Sequence, residues 1–417
     1  SGRPRWLADR TAQGIFVVGF IANFAAALLL TYVWRIGNAD ALARTANASY
    51  IVFSRDPHLA AVGFVWPVLP SFAQIPLLPP LRLLGHPELA GCVVSALSGA
   101  GVLVILSAIL GMFGITGRTR LLWLALVQCN PQFWYLSGSG MAEIPSMLFL
   151  ILGVYAFLKL STNVLACTLL GTSLACAFLV RYEALSSMAA SACAVLIQHG
   201  TPGKQEQVTE GRMLVQRRPM GRLLVQWWPS RRDWSDLEGQ LIAVLAPPCY
   251  AIVLWLLVNW IIMGDPLYFN DSTFSLAKAP DVARNFGPHH PLYADMHSLT
   301  NTLSYTFRRI AQAIILLPIS APLALVLGVW RGDRQLLGVV ILTCGTFALT
   351  SAEVFVGTLP PYLRYWCLAT PFAVVLAAAC VQQIAHTRWT KLGLYGVPLI
   401  MVVGVFVNLE GLNDPWG

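Results

Sequence analysis

Residues 14–34 read GIFVVGFIANFAAALLLTYVW, and residues 35–58 continue with RIGNADALARTANASYIVFSRDPH. The first stretch matches the roughly 20 apolar residues that an α-helix needs to cross a bilayer. The second stretch places aspartate, arginine and histidine side chains directly after it. Together they predict a membrane-spanning helix that leads into a polar segment at the membrane surface.

The composition of the whole chain agrees with that first helix. Of 417 residues, 57% are hydrophobic and only 11% are charged, whereas a soluble domain carries about 25% charged residues. Long apolar runs recur along the chain, so we predict an all-α, polytopic bundle of about eleven transmembrane helices. The bundle is predicted to be one domain, residues 1–417. The predicted spans are 13–34, 89–114, 121–137, 144–160, 163–180, 183–198, 239–263, 308–330, 335–357, 366–385 and 391–409.

The distribution of basic residues predicts how the chain is oriented. The net charge is +8, and lysines and arginines concentrate in a few short connections and in the 199–238 loop. By the positive-inside rule these segments are cytoplasmic, and so is the N-terminus. The 35–88 segment, with amphipathic helices, and the 264–307 loop are then extracytoplasmic. Within 35–88, the proline-broken stretch 61–81 is predicted to be interfacial or re-entrant.

Charged side chains from separate connections share the predicted extracytoplasmic face. A charge near hydrocarbon is costly unless it is paired or hydrated, so such a grouping favours a functional site over chance. The residues of this group are Asp40, Arg44, Arg55, Asp56, His58, Glu143, Arg181, Glu183 and Arg364, with the polar Tyr365 beside Arg364.

The segment after the first span has the pattern of a surface helix. At helical spacing, Asp40, Arg44 and Asn47 fall on one stripe, while Leu42 and Tyr50 fall on a more apolar one. The polar stripe would offer a carboxylate to a cavity, and the apolar stripe would contact lipid or other spans. A simple surface ion pair between Asp40 and Arg44 is the alternative interpretation.

Five short motifs, taken in order, resemble those of the C-type glycosyltransferases. This superfamily includes protein O-mannosyltransferases and the aminoarabinose transferase of lipid A. The resemblance extends over most of residues 13–385. The motifs are GFVWPVLPSF (63–72), NPQFWYLSGSGMAEIPSMLFLILGVYAFLK (130–159), FLVRYEAL (178–185), NWIIMGDPLYF (259–269) and LRYWCLATPF (363–372).

The resemblance implies a reaction. Such enzymes transfer a sugar from a polyprenyl-phosphate donor to an acceptor hydroxyl outside the cytoplasm, with an aspartate of the first loop as the general base. Asp40 matches that position, although the family often shows two adjacent acids where this chain has Ala39 and Ala41. Asp56 therefore remains a competing base. Direct displacement with one base predicts inversion at the anomeric carbon, by analogy with inverting hydrolases.

The resemblance also assigns expected binding roles. The leaving lipid phosphate needs positive charge, and the planar arginine fork suits phosphate oxygens. Arg364 with Tyr365 is the first choice, followed by Arg181 and then by Arg44 and Arg55. Glu143, Glu183 and His58 are expected to hold the acceptor or to orient the arginines. The alternatives are a span-end anchor for Arg364, an ion pair of Arg181 with Glu183 or Glu143, and a helix-dipole contact for Glu143.

No metal is expected, because the histidines at 289, 290 and 297 and Asp295 are irregularly spaced and because the resemblance implies chemistry that usually runs without one. No cofactor is expected either. The expected partners are the polyprenyl-phosphate sugar, a glycan, lipid or protein acceptor, and membrane lipids, with no nucleic acid. A bacterial inner membrane is the expected location, with the site facing the periplasm or exterior. The competing functions are a transporter or lipid flippase, and a ligase that transfers a whole glycan.

Overall fold

The protein is described by a computed structural model that covers residues 9–160, 164–199, 231–272, 298–359, 362–384 and 390–412. These residues form helices and connections, with no β-strand among them. The helices are α1 (Arg10–Leu28), α2 (Ala39–Phe53), α3 (Leu69–Gln74), α4 (Leu78–Leu83), α5 (Leu89–Met112), α6 (Gly117–Gln128), α7 (Pro131–Gly138), α8 (Glu143–Leu158), α9 (Val164–Val180), α10 (Ala184–His199), α11 (Arg231–Met263), α12 (Tyr268–Asp271), α13 (Leu299–Ala313), α14 (Leu316–Arg331), α15 (Arg334–Val356), α16 (Ala369–Gln383) and α17 (Thr390–Leu412).

The predicted all-α, polytopic membrane class is confirmed, but the count of eleven spans is not. Within the described residues, 5 helices are long and apolar enough to cross a membrane, or up to 7 if each of two bent pairs is one span. Three shorter apolar helices accompany them, at Leu165–Val180, Ala184–His199 and Gly393–Val407. Residues 200–230 of the predicted cytoplasmic loop lie outside the described residues, as does the 289–297 histidine group.

Two predicted spans are wrong because the chain breaks inside or beside them. The span predicted at 121–137 is divided between α6 and α7, since Asn130 leaves the helix and caps α7 by accepting from the backbone N–H of Phe133. Helices α7 and α8 then meet at 113°. The span predicted at 308–330 is divided at Ile314, whose backbone is extended, and α13 meets α14 at 111°.

Helices α1 and α7 pack closely against each other beside the first loop. A Cβ built on Gly138 would lie 2.8 Å from the backbone nitrogen of Ala27 and 2.9 Å from the carbonyl carbon of Ala26. Only glycine lets the backbones of α7 and α1 approach this closely. The end of α7, and with it the start of α8, is therefore held against the first span.

Helix α2 is amphipathic, as predicted. It begins after Asn38, whose side chain accepts from the backbone N–H of Asp40. Arg44 is on the buried face, whereas Leu42 and Tyr50 are 49% and 56% exposed. Thr45 donates from its hydroxyl to Gln74 of α3 over 2.7 Å, which ties α2 to the proline-rich stretch. That stretch forms short helical pieces, consistent with the prolines that interrupt it.

Candidate active site at the ends of the helices

A cavity of about 470 Å³ opens where several helix connections meet. Its size falls within the range typical of sites for small ligands. Residues from α2, from the connection of α7 to α8, from that of α9 to α10 and from the segment before α16 line it together. The charged residues of its wall are Asp40, Arg44, Glu143, Arg181, Glu183, Glu353 and Arg364.

Asp40 stands in the first turn of α2, where the helix dipole favours a carboxylate. Its Oδ2 lies 2.9 Å from Nη2 of Arg364, and its side chain is 37% exposed. The carboxylate is thus paired and reachable from the cavity. The surface pair with Arg44, which was the alternative interpretation, does not form: no carboxylate in the described part of the chain is within ion-pair distance of Arg44.

Arg364 lies on a short 3-10 helix, Leu363–Trp366, just before α16. Besides its pair with Asp40, its Nε is 3.7 Å from Oε1 of Glu143. Its Nη2 donates to the hydroxyl of Tyr365 over 3.3 Å. The guanidinium also lies 5.1 Å from the ring centre of Tyr362 and 5.2 Å from that of Tyr365. Two aromatic faces and two carboxylates therefore fix its orientation.

Arg181 sits between α9 and α10 and is occupied by two carboxylates. Its Nη1 lies 2.8 Å from Oε1 of Glu143, and it also pairs with Glu183. Burial lowers the pKa of this guanidinium, but Glu183 and Glu143 outweigh burial and raise the pKa well above its ordinary value. Arg181 therefore stays charged and links the two acids. This is the ion pairing given above as the alternative interpretation of Arg181.

Glu143 is the buried centre of this charge network. Its side chain is 2% exposed and lies within ion-pair distance of both Arg181 and Arg364. Neither contact has hydrogen-bond geometry, so both carboxylate oxygens lack a hydrogen-bond partner. The carboxylate thus holds two arginines from different connections by charge, at the start of α8.

Arg44 differs from Arg181 and Arg364 because it is buried without a carboxylate within ion-pair distance. Its guanidinium lies 5.3 Å from the ring centre of Trp66, and its Nη1 has no hydrogen-bond partner. Burial, with a contribution from the positive charge of Arg181, lowers its pKa to about 10, so it stays charged at neutral pH. A buried cation without a counterion is costly. An anionic ligand in the cavity would supply the missing partner.

Three of the predicted site residues lie elsewhere. Arg55, Asp56 and His58 are exposed and do not line the cavity. The side chain of Asp56 is 93% exposed, and its Oδ2 is 3.6 Å from Nδ1 of His58. Asp56 therefore lies outside the cavity that Arg44, Arg181 and Arg364 line, whereas Asp40 is in contact with Arg364.

Sequence reasoning missed three residues that form the cavity wall. Trp66 supports Arg44, and Tyr182 accepts from the indole N–H of Trp255 over 3.1 Å while stacking on Phe269. Glu353 lies near the end of α15. Its signal was present in the sequence, because an acid inside an apolar run predicted to span the membrane is a marker of function.

A metal site does not emerge from the described residues. They contain no group of three or more histidine, cysteine, aspartate or glutamate side chains that could hold a metal ion.

Comparison with known proteins gives a fold-level similarity. No family model and no curated protein matches the sequence. Solved structures that match include the archaeal oligosaccharyltransferase AglB from Archaeoglobus fulgidus, determined in complex with an inhibitory peptide and a dolichol-phosphate. The identity is 11% and the TM-score 0.48, over 97% of this chain and 56% of that one. The chain thus spans little more than half the length of AglB, and a similarity of this degree assigns no activity.

Proposed function

We propose that this protein is a membrane glycosyltransferase that moves a sugar from a polyprenyl-phosphate donor to an acceptor hydroxyl on the extracytoplasmic face. One observation carries the proposal: the buried guanidinium of Arg44, which has no ion-pair partner and whose Nη1 has no hydrogen-bond partner, lines the same cavity as the Asp40–Arg364 pair. This arrangement offers an anion site beside an accessible carboxylate. The motif resemblance described above favours the same reaction.

The arginines divide into two roles. Arg44 and Arg364 would bind the donor phosphate, because Arg44 lacks a counterion and Arg364 is held by the aromatic rings of Tyr362 and Tyr365. Tyr365 would add a hydroxyl donor. Arg181, already paired with Glu143 and Glu183, would position the wall of the site and not the phosphate itself. Positive charge beside the departing phosphate stabilises the negative charge that develops there.

Asp40 would act as the general base. The acceptor oxygen attacks the anomeric carbon as its proton passes to Asp40, and the bond from that carbon to the phosphate oxygen breaks. The electrons of that bond leave with the lipid phosphate, which needs no proton. Because Asp40 pairs with Arg364, an incoming phosphate that draws Arg364 toward itself would free the carboxylate. Displacement from the opposite side gives inversion.

The proposed location follows the orientation predicted from the basic residues. The N-terminus would be cytoplasmic, and the cavity would face the periplasm or exterior of a bacterial inner membrane. The donor would enter from the bilayer, and the acceptor would be a glycan, lipid or protein. Membrane lipids are the surrounding partners in this arrangement.

The test is binding of radiolabelled undecaprenyl phosphate to the purified protein in nanodiscs. Arg44→Ala should weaken binding about 10- to 150-fold, the range for a lost charge-assisted contact. Arg82→Ala is the matched control, because the Arg82 guanidinium also lies over an aromatic ring, that of Phe53, but does not line the cavity. Equal binding by both variants, or no binding by the wild type, would contradict the proposal. Lipid movement across the bilayer without sugar transfer would instead favour a flippase.

A further inference from the structure

Glu353 occupies a rigid position in the wall of the cavity. It lies in the last turn of α15, which ends at Gly357 with a left-handed backbone, φ +80°. The carbonyl of Glu353 accepts from the backbone N–H of Thr358 over 2.9 Å and from its hydroxyl over 3.3 Å. The turn is thus closed by its own hydrogen bonds, and the side chain projects from a fixed backbone.

The carboxyl group of Glu353 is the only acid of the cavity wall, among the described residues, without a cation in ion-pair contact. Asp40, Glu143 and Glu183 each pair with an arginine. Glu353 makes no such pair, and its Oε2 is enclosed without a hydrogen-bond partner.

An enclosed polar group without a partner costs free energy, so its presence in a cavity calls for a ligand or another explanation. The torsion at the end of a glutamate side chain is broad and nearly two-fold. A half-turn about this torsion therefore exchanges the two oxygens, and either of them can face the cavity. The ligand must bring a hydrogen-bonding group and not an anion, because Glu353 is itself an acid and would repel a second negative charge.

We infer that Glu353 binds a hydroxyl group of the sugar carried by the donor and so selects among donor sugars. The inference rests on the proposed function, since it takes the arginine wall to hold the phosphate to which that sugar is attached. A carboxyl group that is unpaired and held on a fixed turn suits recognition of one hydroxyl by position. Glu353 would thus recognise the sugar by hydrogen bonding to one of its hydroxyl groups. Arg44 and Arg364 would bind the phosphate that all donors share.

The test compares equilibrium binding of two kinds of radiolabelled lipid in nanodiscs. One is undecaprenyl phosphate without a sugar, and the other is a panel of undecaprenyl-phosphate mannose, glucose and arabinose. Glu353→Ala should weaken binding of the preferred sugar-bearing lipid on the order of tenfold and leave the sugar-free lipid within about twofold. Glu353→Gln, which can still bond a hydroxyl, should restore most of the loss. Glu238→Ala is the control. Glu238 is an exposed acid near the start of α11, whereas the cavity-lining residues Phe269 and Asn270 follow the end of that helix.

The failures of the two proposals can be told apart. If the wild type binds no lipid, the proposed function falls and this inference falls with it. If Glu353→Ala leaves the sugar-bearing lipids unaffected, or weakens both kinds of lipid equally, the role in sugar recognition is wrong while the phosphate site stands. If Glu353→Gln binds as poorly as Glu353→Ala, recognition of a hydroxyl is also overturned.

Discussion

Replacing Glu143 with glutamine removes one charge from the centre of the network and keeps the shape of the side chain. The carboxylate is 2% exposed and lies 2.8 Å from Arg181 and 3.7 Å from Arg364. After the change, Arg181 keeps Glu183 and Arg364 keeps Asp40. The net charge of this largely enclosed site nevertheless becomes more positive by one, so repulsion among its arginines is less compensated.

The expected loss of stability follows from these distances. With an effective dielectric constant of about 20, attractions at the two separations are about 6 and about 4.5 kcal/mol. Desolvation of the carboxylate offsets several kcal/mol of that sum. Losing one member of a buried pair costs about 3–5 kcal/mol in general. Because each arginine retains another partner, we expect the lower end, about 3 kcal/mol, for Glu143→Gln.

The assay is unfolding of the purified protein in mixed detergent micelles, followed by circular dichroism. Glu238→Gln serves as the control, because Glu238 is an exposed acid far along the chain from this network. Glu143→Gln should unfold at a clearly lower denaturing-detergent fraction than both the wild type and the control. Unfolding of all three proteins together would refute the view that Glu143 holds the arginines in place.

Two further changes probe the frame and the anion site. Gly138→Ala would put a Cβ 2.8 Å from the backbone of Ala27 and should destabilise the protein by about 1–3 kcal/mol in the same unfolding assay. Gly396→Ala, where a Cβ meets nothing within 4 Å, should not, and equal behaviour of the two would contradict the packing argument. Trp66→Ala removes the ring that supports Arg44 and should weaken undecaprenyl phosphate binding about fivefold, given about 1 kcal/mol for such a contact. Unchanged affinity would show that Trp66 does not position Arg44.

Much of the fold could be predicted because hydrophobic runs report directly on membrane helices. The amphipathic character of α2 was also predictable, since spacing alone separates Arg44 from Leu42. The breaks at Asn130 and Ile314 were not. The same apolar run can form one helix or two. The break between the helices shows only in the structure, as the side-chain cap of Asn130 and the extended backbone of Ile314.

For the candidate site, the sequence indicates which residues lie near the cavity better than it indicates how those residues pair. Charges near apolar runs identified Asp40, Glu143 and Arg364, because each is expensive where it stands. The sequence does not show that Arg181 forms ion pairs with two acids while Arg44 forms none. Ion pairing depends on how the connections between helices fold together. It also could not separate Asp40 from Asp56, which differ in whether they face the cavity.

Sugar transfer by the purified protein tests the central claim most directly. The measurement is release of radiolabelled sugar from a panel of polyprenyl-phosphate sugars in the presence of acceptor glycans and lipids. Wild type and Asp56→Asn should transfer equally, and Asp40→Asn should lose about 10²- to 10⁴-fold in rate, the usual contribution of a general base. Binding of undecaprenyl phosphate should survive Asp40→Asn. Transfer that persists in Asp40→Asn, or that disappears in Asp56→Asn, would contradict the account.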